Sequence, residues 1–152
     1  MELENLPEID IDASKSKIII ILPYFNESLG KELLENVKEE LHKRKVQEKN
    51  IKIIRVAGAL EIPFACAKVI DKKRPDAIIT LGAIIRGDTS HYELVCEQTY
   101  QGIMKVQLEK KIPIIFGILT CETAEQAKLR TSKSGLNKGK QFALAALIQT
   151  TI

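Results

Sequence analysis

The fold is decided by an unbroken apolar run near the N-terminus, Lys17-Ile18-Ile19-Ile20-Ile21-Leu22, which ends at Pro23 and Asn26. Four consecutive isoleucines favour a strand, and the lack of polar alternation predicts that both faces of this strand are buried. A strand buried on both faces is typical of the centre of a parallel sheet that carries helices on each side. The run therefore places the chain in the α/β class.

Amphipathic and apolar stretches alternate along the rest of the chain. Leu33, Val37 and Leu41 recur at four-residue spacing among charges, which predicts a helix from Ser28 to about Gln47. Three further strands are predicted at Ile51 to Val56, Asp76 to Ile85 and Pro113 to Thr120. Helices are predicted from about Glu61 to Lys73, Ser90 to about Glu109, Thr123 to Arg130 and Lys140 to Thr150. Four strands that are each followed by a helix predict a three-layer αβα sandwich with a four-stranded parallel sheet, flavodoxin-like in outline.

Length and composition are those of one soluble globular domain. The 152 residues are 45% hydrophobic and 28% charged, and 23 basic against 20 acidic residues leave a formal net charge of +3. This balance gives no support for nucleic acid or a membrane as partner, because a nucleic-acid binder concentrates its basic residues on one face. We expect residues 17–152 to form a single domain. Residues 1–16 are a polar extension, expected either to be flexible or to pair with a neighbouring subunit.

The three cysteines, Cys66, Cys96 and Cys121, are odd in number and widely spaced. They predict neither a disulfide framework nor a metal site, so each is interpreted as a small buried apolar residue. The N-terminal residues lack the apolar core of a signal peptide, and no apolar run reaches membrane-spanning length. The expected location is the cytoplasm.

The loops at the carboxyl ends of the strands are the expected binding site, because ligands of open parallel sheets bind there. After the first strand, Phe25 follows Tyr24 and could either stack on a planar ligand or cover the sheet end as a hydrophobic staple. After the second strand, Gly58 permits either close backbone approach or positive φ. Glu61, at the next helix start, either complements the helix dipole or accepts hydrogen bonds from ligand hydroxyls.

The loop after the third strand reads Gly87-Asp88-Thr89-Ser90-His91. Backbone N–H groups at a helix start bind anions, so this turn predicts a phosphate cradle, with Arg86 adding charge close by. Ser90 and Glu93 have capping-box spacing, which is a structural reason for the same residues. A lone histidine is more often structural than catalytic. His91 stands beside the cradle, however, where an imidazole that titrates near neutral pH suits proton transfer.

The residues after the fourth strand have two interpretations. Thr123 and Gln126 have capping-box spacing. Arg130 either complements the dipole of a short helix or binds a phosphate through its planar guanidinium, and Lys138 is either a surface charge or an anion ligand. Walker A, GxGxxG, HExxH and GxSxG motifs are absent, which disfavours nucleotide hydrolysis, hydride transfer and serine hydrolysis. The residues alone predict a cofactor-free α/β protein that binds a phosphorylated small molecule.

Taken together, the loop sequences resemble the 6,7-dimethyl-8-ribityllumazine synthase family. They follow the family's order and spacing from about residue 17 to the end, and five segments in register argue against coincidence. The segments are Phe25-Asn26, Gly58-Ala-Leu-Glu-Ile-Pro63, Gly82-Ala-Ile-Ile-Arg-Gly-Asp-Thr-Ser-His91, Ile115-Phe-Gly-Ile-Leu-Thr120 with Glu125-Gln-Ala127 and Arg130, and Asn137-Lys-Gly139. The third segment is the most specific of them.

The resemblance implies a transferase of riboflavin biosynthesis. In the family's reaction, 5-amino-6-(D-ribitylamino)uracil condenses with 3,4-dihydroxy-2-butanone 4-phosphate through an imine. Phosphate and water leave, and ring closure gives 6,7-dimethyl-8-ribityllumazine without a metal or a redox cofactor. Two alternatives stay open: a non-catalytic flavin or lumazine carrier or shell-forming protein on the same scaffold, and a related riboflavin-forming enzyme on a similar fold.

The resemblance also implies a role for individual residues in binding the pyrimidine and its ribityl chain. Phe25 would stack on the pyrimidine, and Glu61 would accept hydrogen bonds from the ribityl hydroxyls. Phe116 would close the pyrimidine site from a neighbouring subunit. Further contacts with this substrate are implied for Ala59, Leu60, Ala83, Ile84 and Ile85.

The implied phosphate site uses a different set of residues. Asp88 and Thr89 would lie in the cradle, with Arg130 as its cationic partner. His91 would transfer protons during imine formation and phosphate loss. Lys138 would lie near the substrates, and Arg86 is an additional candidate.

The family assembles as pentamers, some stacked in pairs and some closed into icosahedral shells. The loop before Asn137 is short, which leads us to expect a shell here, with riboflavin synthase as a further protein partner. The chain departs from the family pattern at Tyr24, where a basic residue is common, at Ala57, where proline is common, and at Cys121, where threonine is frequent. These departures remove no chemical group from the implied site, although they bear on substrate affinity.

Overall fold

The computed structural model describes residues 10–152, which form a parallel sheet between two layers of helices. The strands are β1 (Ile18–Pro23), β2 (Ile51–Val56), β3 (Ala77–Ile85) and β4 (Ile114–Cys121). The helices are α1 (Glu27–Lys43), α2 (Ile62–Lys73), α3 (His91–Lys110), α4 (Ala124–Thr131) and α5 (Lys138–Gln149), with 3-10 turns at Glu48–Asn50 and Ala59–Glu61. The strand order β2-β1-β3-β4 is that of the flavodoxin-like fold, so the predicted class is confirmed.

Strand β1 divides its side chains between two cores. Ile18, Ile20 and Leu22 pack in the core that includes α1 and α5, whereas Ile19 and Ile21 pack in the core that includes α2 and α3. Alternate residues of a strand point to opposite faces, so a strand without polar residues can be buried on both. Every residue of β1 is buried, as its sequence predicted.

The first helix ends earlier than its sequence pattern indicated. The predicted end near Gln47 is wrong, because α1 stops at Lys43. Lys45 adopts a φ of 69°, and the Val46 N–H donates to the Leu41 carbonyl at 3.0 Å. This hydrogen bond closes the helix in the manner of a Schellman motif and buries the Val46 side chain.

The last two helices begin at polar caps. The Thr123 hydroxyl accepts from the Gln126 N–H at 3.2 Å, as the capping-box spacing predicted. The Asn137 side-chain oxygen accepts from the N–H three residues on at 3.3 Å, so α5 begins at Lys138 rather than Lys140. Lys138 is therefore the first residue of a helix and not part of the preceding loop.

Part of the predicted N-terminal extension packs on the chain's own core. Ala13 is buried, its N–H donates to the Arg44 carbonyl at 3.0 Å, and Ile11 lies partly buried against the same core. The rest of that extension, residues 1–9, lies outside the described residues.

The three cysteines are free thiols, of which Cys66 and Cys121 are buried and Cys96 is half-buried. Burial raises the pKa of the Cys66 thiol to about 12, so this side chain behaves as an apolar residue, as interpreted from the sequence. Among residues 10–152, the helices are all too short or too polar to cross a membrane.

Gly117 lies where β4 approaches both β3 and α5. A Cβ at this position would lie 2.3 Å from the Thr80 carbonyl oxygen and 2.9 Å from the Phe142 ring. The carbonyl cannot move without distorting the sheet, so we expect Gly117→Ala to lower the free energy of unfolding by about 2 kcal/mol. Urea unfolding measures this, with Gly87→Ala as control because its Cβ would meet no described atom within 4 Å. Equal losses in both variants would contradict the explanation.

Candidate active site

A cleft at the carboxyl ends of the strands, which we call the histidine cleft, brings together most of the residues implied for the pyrimidine. Its volume is about 360 Å³. It is lined by Phe25, Gly58, Ala59, Leu60, Glu61, Ile84, Ile85, Gly87, Thr89, His91, Tyr92 and Val95. The loops after β1, β2 and β3 each contribute, which is where an open parallel sheet is expected to bind ligands.

Phe25 reaches this cleft because Asn26 holds the turn between β1 and α1. Asn26 adopts a left-handed φ of 49°, and its side-chain amide donates to the Ala83 carbonyl at 2.8 Å. The Phe25 side chain is 60% exposed, whereas a staple that covered the sheet end would be buried, so the ligand-stacking interpretation is favoured. Ala83 is buried and outside the lining, so only Ile84 and Ile85 of the three implied β3 contacts line the cleft.

Tyr24 lies beside this turn and packs against a cation from β2. The Arg55 guanidinium carbon lies 4.0 Å from the centroid of the Tyr24 ring, and Nη2 of Arg55 lies 2.7 Å from a Glu27 carboxylate oxygen. The hydrogen bond from Arg55 lowers the pKa of Glu27. Strand β2 thus supplies a positive charge next to this turn.

The position of Glu61, in the loop after β2, is compatible with both interpretations given for this residue. This residue precedes the first residue of α2 and also lines the histidine cleft, so its carboxylate can complement the helix dipole and face a ligand together. Gly58 has a φ of −149°, which is extended backbone, so positive φ is not the reason for glycine here. A Cβ at Gly58 would lie 3.1 Å from a Glu61 carboxylate oxygen, at the end of a flexible side chain.

The turn after β3 presents Thr89 and His91 to the cleft. The Thr89 hydroxyl accepts from the His91 backbone N–H at 3.3 Å. The capping box predicted for Ser90 and Glu93 is wrong, because Ser90 forms no side-chain cap and the Glu93 carboxylate pairs with an arginine instead. Backbone N–H groups at a helix start favour an anion, and Ser90 leaves those of α3 without an N-cap side chain. Asp88 is exposed and does not line the cleft.

Arg86 does not supply the free charge that its sequence position suggested. Its guanidinium forms ion pairs with Glu93 and Glu122, and Arg86 does not line the histidine cleft. The two carboxylates neutralise the cation beside the predicted cradle.

The remaining implied residues lie in a separate cleft of about 300 Å³, which we call the arginine cleft. It is lined by Tyr100, Phe116, Ile118, Leu119, Thr120, Arg130, Leu136, Lys138, Gln141 and Phe142. Nη1 of Arg130 donates to the Gln126 carbonyl at 3.0 Å, and Nζ of Lys138 donates to the Gln141 side-chain oxygen at 3.1 Å. A single chain therefore places Arg130 in a different cleft from Thr89 and His91.

Phe116 is held in the arginine cleft by its neighbour Tyr100. The two ring centroids are 5.3 Å apart with an interplanar angle of 45°, and the Tyr100 hydroxyl donates to the Ile118 carbonyl at 2.5 Å. Burial raises the pKa of Tyr100 to about 12, so the phenol stays protonated and keeps this hydrogen bond at neutral pH.

Sequence reasoning did not select several lining residues. Tyr92 and Val95 line the histidine cleft, and helical spacing from His91 could have found Val95, because residues four apart share a helix face. Tyr100 and Phe142 line the arginine cleft through contacts between elements distant in sequence, for which no local signal exists.

The fold and the clefts define a class of protein: an α/β sandwich with an exposed aromatic ring, a helix start and an imidazole together in a cleft at the carboxyl ends of its strands. The chain matches the family model of 6,7-dimethyl-8-ribityllumazine synthase over residues 15–151, and it belongs to this family. The resemblance drawn from the five loop segments is thereby confirmed.

Curated relatives agree with this assignment. The chain is 42% identical over 137 residues to the 6,7-dimethyl-8-ribityllumazine synthase of Leuconostoc mesenteroides, which covers 90% of this chain and 88% of that protein. It is also 42% identical over 131 residues to the enzyme of the same name from Kosmotoga olearia, covering 86% of this chain and 84% of that protein. A solved GDP-L-fucose synthetase from Naegleria fowleri bound to NADP has a TM-score of only 0.46 and 15% identity, covering 94% of this chain and 49% of that chain. A likeness at that level carries no functional information.

Proposed function

We propose that the chain catalyses its family's condensation at a site made from the histidine cleft of one subunit and the arginine cleft of a neighbour. The family membership supports the reaction, in which 5-amino-6-(D-ribitylamino)uracil and 3,4-dihydroxy-2-butanone 4-phosphate give 6,7-dimethyl-8-ribityllumazine. The separation of Arg130 from Thr89 and His91 within one chain supports the shared site. Two chains that place these clefts face to face would bring Phe25, Glu61, Thr89 and His91 of one subunit next to Phe116, Arg130 and Lys138 of the other.

In this proposal the histidine cleft binds the pyrimidine. The exposed Phe25 ring stacks on it, and the Glu61 carboxylate accepts hydrogen bonds from the ribityl hydroxyls. Backbone groups of Ile84 and Ile85 contact the ring, and the Ala59–Glu61 turn contacts the ribityl chain. Phe116 of the neighbouring subunit closes the site over the pyrimidine.

The phosphate end of the second substrate lies at the turn before α3. Thr89 and the amides of the uncapped helix start bind the phosphate, and Asp88 lies in the same turn. Arg130 of the neighbouring subunit supplies the cationic fork, and Lys138 adds a second positive charge. This arrangement holds the ketone of the butanone near the amine of the pyrimidine.

His91 performs the proton transfers. The amine attacks the ketone carbon, and loss of water from the adduct requires a proton at the departing hydroxyl. Phosphate then leaves as a proton is removed from the carbon next to the imine. An imidazole between the ring site and the phosphate site can make both transfers, and close placement of the two substrates supplies much of the remaining acceleration.

We further propose a pentamer-based homo-oligomer whose pentamers close into an icosahedral shell. Large apolar side chains are exposed on the described surface, among them Phe64 at 70% and Leu108 at 67%, which favours contacts with other subunits. The short loop before Asn137 supports the shell over free pentamers. Light scattering gives the mass, and a particle of five or ten subunits would exclude the shell.

The cysteines bear on the compartment in which the enzyme works. Three free thiols, two of them buried, suit a reducing compartment, so we place the protein in the cytoplasm with riboflavin synthase as a further partner. Residues 17–152 act as a single domain that the N-terminal extension precedes.

A turnover assay tests the proposed reaction. Purified protein mixed with both substrates should produce the visible absorption of the lumazine faster than the spontaneous condensation at neutral pH. The mass of the product distinguishes this reaction from that of a related riboflavin-forming enzyme. Tight flavin binding in calorimetry without any turnover would favour the carrier alternative and exclude the proposal.

Arg130→Ala is expected to affect the two substrates unequally. Loss of a charged, bidentate hydrogen-bond donor should lower kcat/KM for the butanone phosphate by about 10- to 100-fold. Pyrimidine affinity, measured by binding of the lumazine product, should change little because Arg130 lies in the other cleft. Lys128→Ala, which removes a cation from the same helix α4, is the matched control. Equal losses for both substrates would contradict the assignment.

A further inference from the structure

Arg86 joins three segments around the turn that carries Thr89 and His91. Its Nε lies 2.5 Å and its Nη2 lies 3.3 Å from the two Glu122 carboxylate oxygens, and its Nη1 pairs with Glu93. Its backbone N–H donates to the Cys121 carbonyl at 3.0 Å. The guanidinium carbon also lies 4.3 Å from the centroid of the Tyr92 ring. Two edges and one face of the guanidinium are therefore occupied.

This engagement leaves Arg86 poorly suited to bind a phosphate. Two carboxylates neutralise the cation, and the hydrogen-bond donors Nε, Nη1 and Nη2 of its guanidinium are already engaged with them rather than directed at a ligand. The hydrogen bonds to Glu122 and Glu93 raise the pKa of Arg86, and the bond from Arg86 lowers the pKa of Glu93, so Arg86 and Glu93 stay charged at neutral pH. The ion pair between these two residues thus persists across the pH range in which the enzyme would work.

The position of the cluster shows what it holds in place. The Arg86–Glu93 pair spans the turn 87–90 and ends on the first turn of α3, two residues after His91. Tyr92, which packs under the guanidinium, lines the histidine cleft. Glu122 lies in the connection between β4 and α4, the helix that carries Arg130.

We propose that Arg86 is a positioning residue for phosphate binding: clamped between Glu93 and Glu122, it holds the turn 87–90 and the start of α3 so that Thr89 and His91 face the histidine cleft. Arg86 acts through these residues and does not itself touch the phosphate. The inference rests on the proposed function, because it concerns the phosphate site of the same reaction.

Removing either carboxylate distinguishes this role from direct phosphate binding, because the two roles predict opposite changes in phosphate affinity. If Arg86 bound the phosphate, Glu93→Gln or Glu122→Gln would release its guanidinium and tighten binding. If Arg86 positions the turn, the same variants loosen the turn and weaken binding. We expect the inhibition constant of inorganic phosphate and the KM of the butanone phosphate to rise about 10-fold in each variant.

Arg86→Lys provides a second test that does not depend on the glutamates. Lysine keeps the positive charge and binds phosphate as a point charge, but it lacks the planar fork that reaches both oxygens of Glu122. A positioning role predicts that Arg86→Lys loses as much phosphate affinity as the glutamate variants do. A ligand role predicts that lysine retains phosphate affinity. The charge-swapped pair Arg86→Glu with Glu122→Arg should recover part of the loss.

Calorimetric titration with inorganic phosphate supplies a reading that does not depend on turnover. Failure of the proposed function would appear as wild-type protein without synthase activity, whereas failure of this inference would appear only among the variants. Glu97→Gln, one turn further along α3 where the carboxylate accepts from Gln101 at 3.0 Å, is the control expected to match wild type. Unchanged or tighter phosphate binding in the two glutamate variants, or retained affinity in Arg86→Lys, would overturn the inference.

Discussion

Replacing His91 by alanine is expected to lower kcat of the condensation by about 10²- to 10⁴-fold, the range that a positioned acid–base group contributes. The imidazole lines the histidine cleft next to Thr89, at the start of α3. Without it, proton transfer to the departing hydroxyl and from the carbon next to the imine must rely on water. The measured rate should then approach that of the spontaneous condensation.

Binding should survive this change, which separates catalysis from affinity. Phe25, Glu61 and the backbone of β3 are unchanged in His91→Ala, so the affinity for the lumazine product should stay near that of wild type. The other histidine of the chain, His42, is the control, because it lies at the end of α1 and contacts Glu48 at 2.8 Å. A His91→Ala protein with wild-type kcat, or a His42→Ala protein with an equal loss, would remove His91 from the mechanism.

Mixing subunits of two impaired variants is expected to give more activity than either variant has alone. His91→Ala damages only the histidine cleft, and Arg130→Ala damages only the arginine cleft. If each site combines the two clefts from neighbouring chains, some sites in a mixed oligomer receive an intact half from each variant. In an equal mixture the chance is one half for each cleft, so about a quarter of the sites should be intact.

The control for this experiment is a mixture of two variants of the same cleft. In a mixture of Phe25→Ala and His91→Ala, every chain carries a damaged histidine cleft. No site in the mixed oligomer is therefore intact, and no recovery of activity is expected. Co-expression with two different affinity tags provides the mixed particles. Activity no greater than the sum of the separate variants would place the whole site within one chain and contradict the shared-site proposal.

Local patterns predicted the elements well where their cause is local. The alternation of Ile18 to Leu22 between two cores needs only apolar residues on both faces of a strand. The capping box predicted from the spacing of Ser90 and Glu93 was wrong, because Glu93 forms an ion pair with Arg86 instead. The turn after β3 brings these two side chains together. The end of α1 was also missed, since Lys45 carries the positive φ that glycine usually signals.

The amino-acid sequence by itself determined the fold class, the family and the chemical groups of the candidate site. These properties depend on residue identity and on spacing over a few residues, which the loop segments preserve. Only the tertiary structure decided that the groups fall into two clefts and that two carboxylates neutralise Arg86. The distance from His91 to Arg130 depends on how α3 and α4 pack on the sheet on either side of β4 in the chain. Local sequence patterns do not predict this packing.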